Sequence, residues 1–401
     1  MDIRRALVLV IDSIGVGHAP DAEKYHSNGA DTLGHVASWF MEHEGRALQI
    51  PHLVQLGITK THPGGLAGID EPTSPLAAHG RMQITSFGND SLDGHWEMMC
   101  LPARFEVDYF PKGFPDDLLD NIRAFSGRGI LCNQPYSGTE VIHDYGEEHL
   151  RSGDLIVYTS GDSVIQIAAH EDVVPLDELY RICTYVRTLI NGPEITMGRV
   201  IARPFVGASA DTFMRTSHRH DYGLEPYGPT VVDMVHNAGL HTIAVGKTYD
   251  LLCGHGFDEA FHNENNHNGM EHVIDVMSRR DWEGLCFTNL VDFDAVYGHR
   301  RDPYGDGLAL EDFDAQLGDV CTLMDEHDLL IITADHGNDP TYQGTDHTRE
   351  LVPLLAWSPA MQAPGANLGT RATASDVGAT VLEALELTDA GEGTSFLSAL
   401  R

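Results

Sequence analysis

Three largely apolar runs, far apart in the chain, each lead into aspartate, and this repeated pattern constrains the fold more than any other feature. Ala6–Ile11 runs into Asp12 and then a glycine loop, Gly15-Val16-Gly17. Leu329–Ala334 runs into Asp335-His336-Gly337, and Leu285–Val291 into Asp292 and Asp294. A run without polar alternation reads as a strand buried on both faces, as in a parallel sheet. Open parallel sheets bind ligands beyond the carboxyl ends of their strands, so carboxylates from distant positions can converge there. Further strands are predicted at His241–Val245 and Val352–Trp357, with helices at Leu308–Met324 and Ala374–Leu385. Strands alternating with helices imply an α/β core. The middle of the chain reads differently, with strands at Asp154–Thr159 and Arg199–Val206 and the punctuation Pro111-Lys112-Gly113-Phe114-Pro115. Residues 103–225 are read as an inserted second domain that splits the core into 1–102 and 226–401.

Composition narrows the function. A chain of 401 residues, 42% hydrophobic, can bury a sizeable core and form two or three domains. No apolar run approaches the roughly 18 residues that span a bilayer, and no secretory signal is visible, so no membrane partner is expected. The formal charge of −35 would repel a nucleic-acid backbone, which makes nucleic acid an unexpected partner. A small phosphorylated substrate needs only local positive charge. The six scattered cysteines form no CxxC pair and point to a reducing cytoplasm. The oligomeric state is left open.

Nitrogen and oxygen ligands occur in three places: Asp12; Asp294 with His299; and Asp335-His336 with His347. Carboxylate and imidazole sets without thiols suit Mn²⁺, Mg²⁺ or Zn²⁺, and there are enough of them for two ions. Each fragment alone is common and usually structural. Together, each after a buried strand, they point to a metal centre. A fourth piece is Gly88-Asn89-Asp90-Ser91-Leu92-Asp93-Gly94-His95-Trp96-Glu97. A hydroxyl at the start of a helix meets backbone N–H groups and a positive dipole end that favour an incoming phosphate, and metal coordination would make it a nucleophile. The plain alternative is that Ser91 is only an N-cap.

The sequence resembles the phosphopentomutase family of the alkaline phosphatase superfamily over essentially its whole length. Matching blocks include Ile11-Asp12-Ser13-Ile14-Gly15-Val16-Gly17, Gly94-His95-Trp96-Glu97, Ser137-Gly138-Thr139-Glu140, Arg203-Pro204-Phe205-Val206-Gly207, Arg219-His220-Asp221-Tyr222 and Gly344-Thr345-Asp346-His347-Thr348-Arg349-Glu350. The resemblance implies an alkaline-phosphatase-like α/β core, with a largely parallel sheet flanked by helices, interrupted by an inserted α+β cap. It implies that Asp12, Asp335 and His336 hold one ion and that Asp294, His299 and His347 hold the other. Ser91 lies where the family has a threonine that becomes phosphorylated. Ser160, Asp162, Arg199, Arg215 and Lys247 match substrate-contacting positions. Two Mn²⁺ ions and a sugar bisphosphate activator are implied, with a sugar phosphate as substrate. The expected reaction interconverts ribose 1-phosphate, or its deoxy equivalent, with ribose 5-phosphate; the alternatives are a mutase for another sugar phosphate or a two-metal phosphatase. Where the family usually has a lysine and a hydroxyl residue, this chain has Asn89 and Asp93, and Gln134 replaces a further lysine. Asp93 is therefore expected to make the phosphate-side rim more negative.

Overall fold

The computed structural model describes residues 1–160, 163–192 and 194–401. They form two compact units: Met1–Phe105 together with Gly228–Arg401, and Glu106–Tyr227. Strands are numbered along the whole chain. The first unit holds β1 (Arg5–Ile11), β2 (Ala78–Met82), β9 (His241–Val245), β10 (Glu259–Phe261), β11 (Gly284–Leu290), β12 (Asp328–Thr333), β13 (Val352–Trp357) and β14 (Asn367–Arg371). The second holds β3 (Ile130–Pro135), β4 (Leu155–Thr159), β5 (Val164–His170), β6 (Arg199–Val206), β7 (Met214–Arg215) and β8 (His220–Gly223).

The eight strands of the first unit form one sheet in the order β10-β9-β11-β1-β12-β13-β2-β14. Only β13 runs against its neighbours, because it pairs antiparallel with both β12 and β2. The sheet is thus largely parallel, as expected. Every residue of β1, β11 and β12 is buried, which is why these segments are largely apolar rather than alternating. Their registers align the three carboxyl ends: Val10 lies opposite Asn289 on one side and Thr333 on the other. Asp12, Asp294 and Asp335 all follow that edge. Helices cover the sheet, among them Asn266–Ser278, Pro303–Leu323 and Ser375–Ala384. Among the described residues no helix is long and apolar enough to cross a membrane.

The second unit has its own sheet, β3-β4-β5-β6-β7 with β8 also paired to β6, and its own two cores. On one face Leu155, Val157, Ile165, Ile167, Val200 and Ala202 pack against the helices Asp116–Ser126 and Leu176–Leu189. On the other, Ile156, Tyr158, Ala168 and Phe205 pack against Val141 and Ile142 of the helix Glu140–Ser152. The alternation between faces follows from the two-residue period of a strand.

Candidate active site

Asp90, not Ser91, is the N-cap of the helix Ser91–Met98: its Oδ1 accepts from the Leu92 and Asp93 amides at 2.9 and 3.2 Å. Capping is therefore supplied by a neighbour, and the Ser91 hydroxyl is left for other work. Asp93 Oδ2 accepts from the Asp90 amide at 3.3 Å, completing a capping box. This differs from the expectation of a more negative rim. The Asp93 side chain is buried and turned back toward Gly88, where an added Cβ would collide with it. Burial, and then the neighbouring Asp90, raise its pKa well above the usual carboxylate value.

Ser91 Oγ lies 3.1 Å from Lys247 Nζ and 3.4 Å from His336 Nε2. One turn along the helix, His95 Nδ1 donates to the Ser91 carbonyl at 2.7 Å, so its Nε2 is free to accept from Asn289 Nδ2 at 3.0 Å. The same Asn289 amide donates to Asp12 Oδ2 at 2.9 Å. A chain of hydrogen bonds thus joins the helix carrying Ser91 to β11 and to the end of β1.

Around this hydroxyl the structure brings together two sets of ligand atoms: Asp12, Asp335 and His336, and Asp294, His336 and His347, each within 4.8 Å of one another. His336 stands in both sets. His299 adjoins the second, with its Nε2 3.4 Å from Asp294 Oδ2 and 3.1 Å from His347 Nε2.

The arrangement fits cations. His299, His336 and His347 each donate Nδ1–H to a backbone carbonyl, of Thr345, Gly337 and Asn89 at 2.7, 3.1 and 2.8 Å, which leaves every Nε2 lone pair directed inward. Two such lone pairs 3.1 Å apart repel unless a cation lies between or beside them. Among the described residues nothing hydrogen-bonds Asp12 Oδ1 or Asp335 Oδ2, both of which are buried. Burial, followed by repulsion from Asp335, raises the pKa of Asp12 well above the usual range. For Asp335 burial also acts upward, but His336 and His95 outweigh it and the pKa ends low. Side chains that orient the ligands include Asn338, which donates to Asp294 Oδ1 at 2.7 Å and accepts from Arg301 at 2.6 Å. Sequence reasoning assigned no role to His95, Asn289, Asn338 or Arg301. The first lies inside a quoted family block, so position relative to Ser91, one helical turn away, was the available signal.

The expected substrate contacts divide. Lys247 sits on the Ser91 hydroxyl. Ser160 directly follows β4, and Arg199, the first residue of β6, pairs with Val164 at one end of the second sheet. Arg215 pairs with Phe205 at the other end of β6, about 20 Å along the strand at 3.3 Å per residue. Asp162 lies outside the described residues.

Comparison with known proteins places the chain in a class. The model of the metalloenzyme superfamily matches residues 4–389. A phosphopentomutase of Limosilactobacillus reuteri is 53% identical over 396 residues, covering 99% of this chain and 98% of that protein. One of Levilactobacillus brevis is 53% identical over 401 residues, covering 100% of both. Among solved structures, the PH0037 protein of Pyrococcus horikoshii shares the fold, with a TM-score of 0.50 at 13% identity over 97% of this chain and 99% of that one. The chain belongs to the metalloenzyme superfamily and, within it, to the phosphopentomutase family.

Proposed function

We propose that the chain interconverts ribose 1-phosphate, or deoxyribose 1-phosphate, and ribose 5-phosphate by carrying the phosphoryl group on Ser91. The observation that carries this reading is the placement of Ser91 Oγ at a helix N-terminus, 3.1 Å from Lys247 Nζ and against both ligand sets. Asp12, Asp335 and His336 would hold one ion, and Asp294, His299 and His347 the other; the ions, which we take to be Mn²⁺, would supply Lewis-acid stabilisation of the phosphoryl oxygens.

The Ser91 phosphoester transfers its phosphoryl group to the free hydroxyl of a bound sugar monophosphate. The Oγ–P bond breaks as the new O–P bond forms, and the proton that the sugar hydroxyl gives up ends on the departing Oγ, which leaves Ser91 as a free hydroxyl. Lys247 donates a hydrogen bond to the departing Oγ and so stabilises the negative charge that develops there. The product is a sugar bisphosphate, whose other phosphate returns to Ser91 by the reverse step, so that the net reaction is an isomerisation. A trace of such a bisphosphate would prime unphosphorylated enzyme. We assign Glu106–Tyr227 as the cap that excludes water, which would otherwise take the phosphoryl group and turn the cycle into hydrolysis. All six cysteines are free thiols, in keeping with a cytoplasmic setting.

The test joins intact-protein mass spectrometry to parallel assays of isomerised sugar phosphate and free phosphate. A stable phosphate on Ser91 is expected, with Ser91→Ala losing it and at least about 10³-fold in turnover. Stoichiometric release of phosphate from ribose 5-phosphate, without ribose 1-phosphate in either direction, would overturn the mutase in favour of a phosphatase.

A further inference from the structure

A cavity of about 370 Å³ opens in the first unit beside the glycine loop that follows β1, with Gly17, His18, Gly29, His35, His62 and Arg81 in its lining. None of the residues of the candidate active site lines it. Its volume is that of a small-molecule pocket and holds roughly a dozen waters at about 30 Å³ each. Part of the wall is bare backbone. Gly17 and Gly29 have φ of 101° and 87°, the left-handed region that favours glycine, and a Cβ on either would meet nothing within 4 Å.

The polar groups around this space divide by whether the protein already uses them. Asp31 caps the helix Thr32–Trp39, accepting from the Gly34 amide at 3.2 Å, and its Oδ2 accepts from His62 Nε2 at 2.7 Å. The other nitrogen of His62 accepts from the Gly64 amide at 3.2 Å, so this ring is spent as well. Asp339 Oδ2 accepts from His35 Nδ1 at 2.5 Å and from the Asp31 amide at 3.0 Å, while its Oδ1 accepts from Thr341. Glu350 accepts from the Thr32 and Thr348 hydroxyls, each at 2.7 Å. These carboxylates are all committed inside the protein.

What stays open is of the opposite kind. Arg81, on β2, gives only its Nε, to Thr370 Oγ1 at 2.9 Å, and its two Nη groups bond nothing among the described residues. With 60 acidic residues in the chain, a guanidinium left without a carboxylate is open to an anion from outside. His35 is the second open group. Its hydrogen bond to Asp339, with Asp31 and Glu350 adding attraction, raises its pKa above 6.5 against the effect of burial. Because Nδ1 already donates to Asp339, the added proton goes to Nε2 and makes the open edge of the ring a cationic donor.

We propose that this cavity is a second anion site, apart from Ser91, in which the Arg81 fork and His35 Nε2 take the carboxylate or the phosphate group of a small molecule. Guanidinium binds either group through paired N–H bonds, and walls of glycine backbone let the ligand come close. The site does not depend on the reaction proposed above.

Full-length, metal-loaded protein is titrated calorimetrically with sulfate, inorganic phosphate and acetate, unaltered and as Arg81→Gln or His35→Gln. Neither residue belongs to the candidate active site, so anions bound there drop out of the comparison. Arg81→Gln should weaken one binding event about tenfold, and His35→Gln should weaken the same event several-fold. Sulfate keeps its charge near neutrality and should bind more tightly at about pH 6 than at about pH 8, because Nε2 must carry its proton. The charged and titratable groups around His35 are Asp31, Asp339, Glu350, His18, His62 and Arg81, and burial pushes Glu350 up to about 7, into the same range. His35→Gln should therefore flatten the pH dependence; a dependence left intact would belong to Glu350 and overturn the part given to His35. Acetate binding as tightly as sulfate assigns the site to a carboxylate, and tighter sulfate and phosphate assign it to a phosphate group; either supports it. The Arg81 side chain bonds only Thr370, so Arg81→Gln should fold, as its melting temperature will show. Unchanged affinity for all three anions in that folded variant would overturn the site.

Discussion

The two units treat their charges in opposite ways. In the first, each imidazole of the candidate metal site is anchored through Nδ1, Asp294 is held by Asn338, and Asn338 is held in turn by Arg301. In the second, the buried Tyr158 hydroxyl has no hydrogen-bond partner among the described residues, and Arg203 is tied through its Nε to Gln166 at 2.6 Å. The difference teaches what each is for. Ligands that must grip an ion in fixed geometry are held rigid in advance, since reorganisation would be a cost at every turnover. A buried donor left without a partner in the protein stays open, at a cost of about 1–3 kcal/mol.

The largest effect should come from breaking the rigid side of this comparison. Asp335→Asn removes one ligand charge while keeping the side chain's shape, and bound metal measured by elemental analysis should fall, with affinity down by about 10- to 100-fold or more and turnover lost. Near-full activity of this variant at low Mn²⁺ would show that Asp335 is not a ligand.

A smaller effect is expected at the helix that carries Ser91. Asp90→Ala removes the N-cap and should cost about 1 kcal/mol of stability, seen as a lower melting temperature. Asp93→Thr removes only the reciprocal half of the box, so it should cost less and should leave the ranking of pentose and hexose phosphates unchanged. A reordered substrate profile would return Asp93 to the rim.

The smallest concerns Glu259 on the edge strand β10, where the pairing rule of the first unit reaches the surface. Its carboxylate accepts from Arg279 at 2.8 Å through both oxygens and from His241 at 2.6 Å. The Arg279 hydrogen bonds first, and His241 with them, lower its pKa to about 2 against the upward push of burial. The folded protein therefore holds this proton more weakly than the unfolded chain does. The stabilisation is present above about pH 4.5 and is lost as pH falls through the window from 4.5 to about 2. Glu259→Gln should lower the melting temperature at pH 7 by the equivalent of about 0.5–1 kcal/mol, and the gap should close toward pH 3. A gap that persists in acid would assign the loss to packing instead.

Much of this architecture can be read from the chain because burial writes itself into composition. A strand covered on both faces has no polar alternation, so Ala6–Ile11 and Leu329–Ala334 declare both their structure and the edge at which Asp12 and Asp335 emerge. The role of Asp93 is less visible: a carboxylate three residues after Asp90 fits a capping box and a rim equally well until the backbone is seen. The closeness of Tyr158, Arg203 and Arg215 was hidden for another reason. They sit on three strands, and only the cross-strand register makes them neighbours.

The position of β1 at the centre of the sheet bears on how the chain is made. Its Arg5 forms a buried double hydrogen bond with Asp328, 323 residues further on, at 2.7 Å for each contact. Its other neighbour, β11, begins at Gly284. The strand of this sheet that is made before the others thus finds its partners only after β2, β9 and β10 have been made. At about 5–20 residues per second, roughly 15 to 65 s separate the synthesis of Arg5 from that of Asp328. Throughout that interval the apolar run Ala6–Ile11 is a nascent segment still waiting for β12, whereas the unit Glu106–Tyr227 is contiguous in sequence and its contacts do not wait for the rest of the chain.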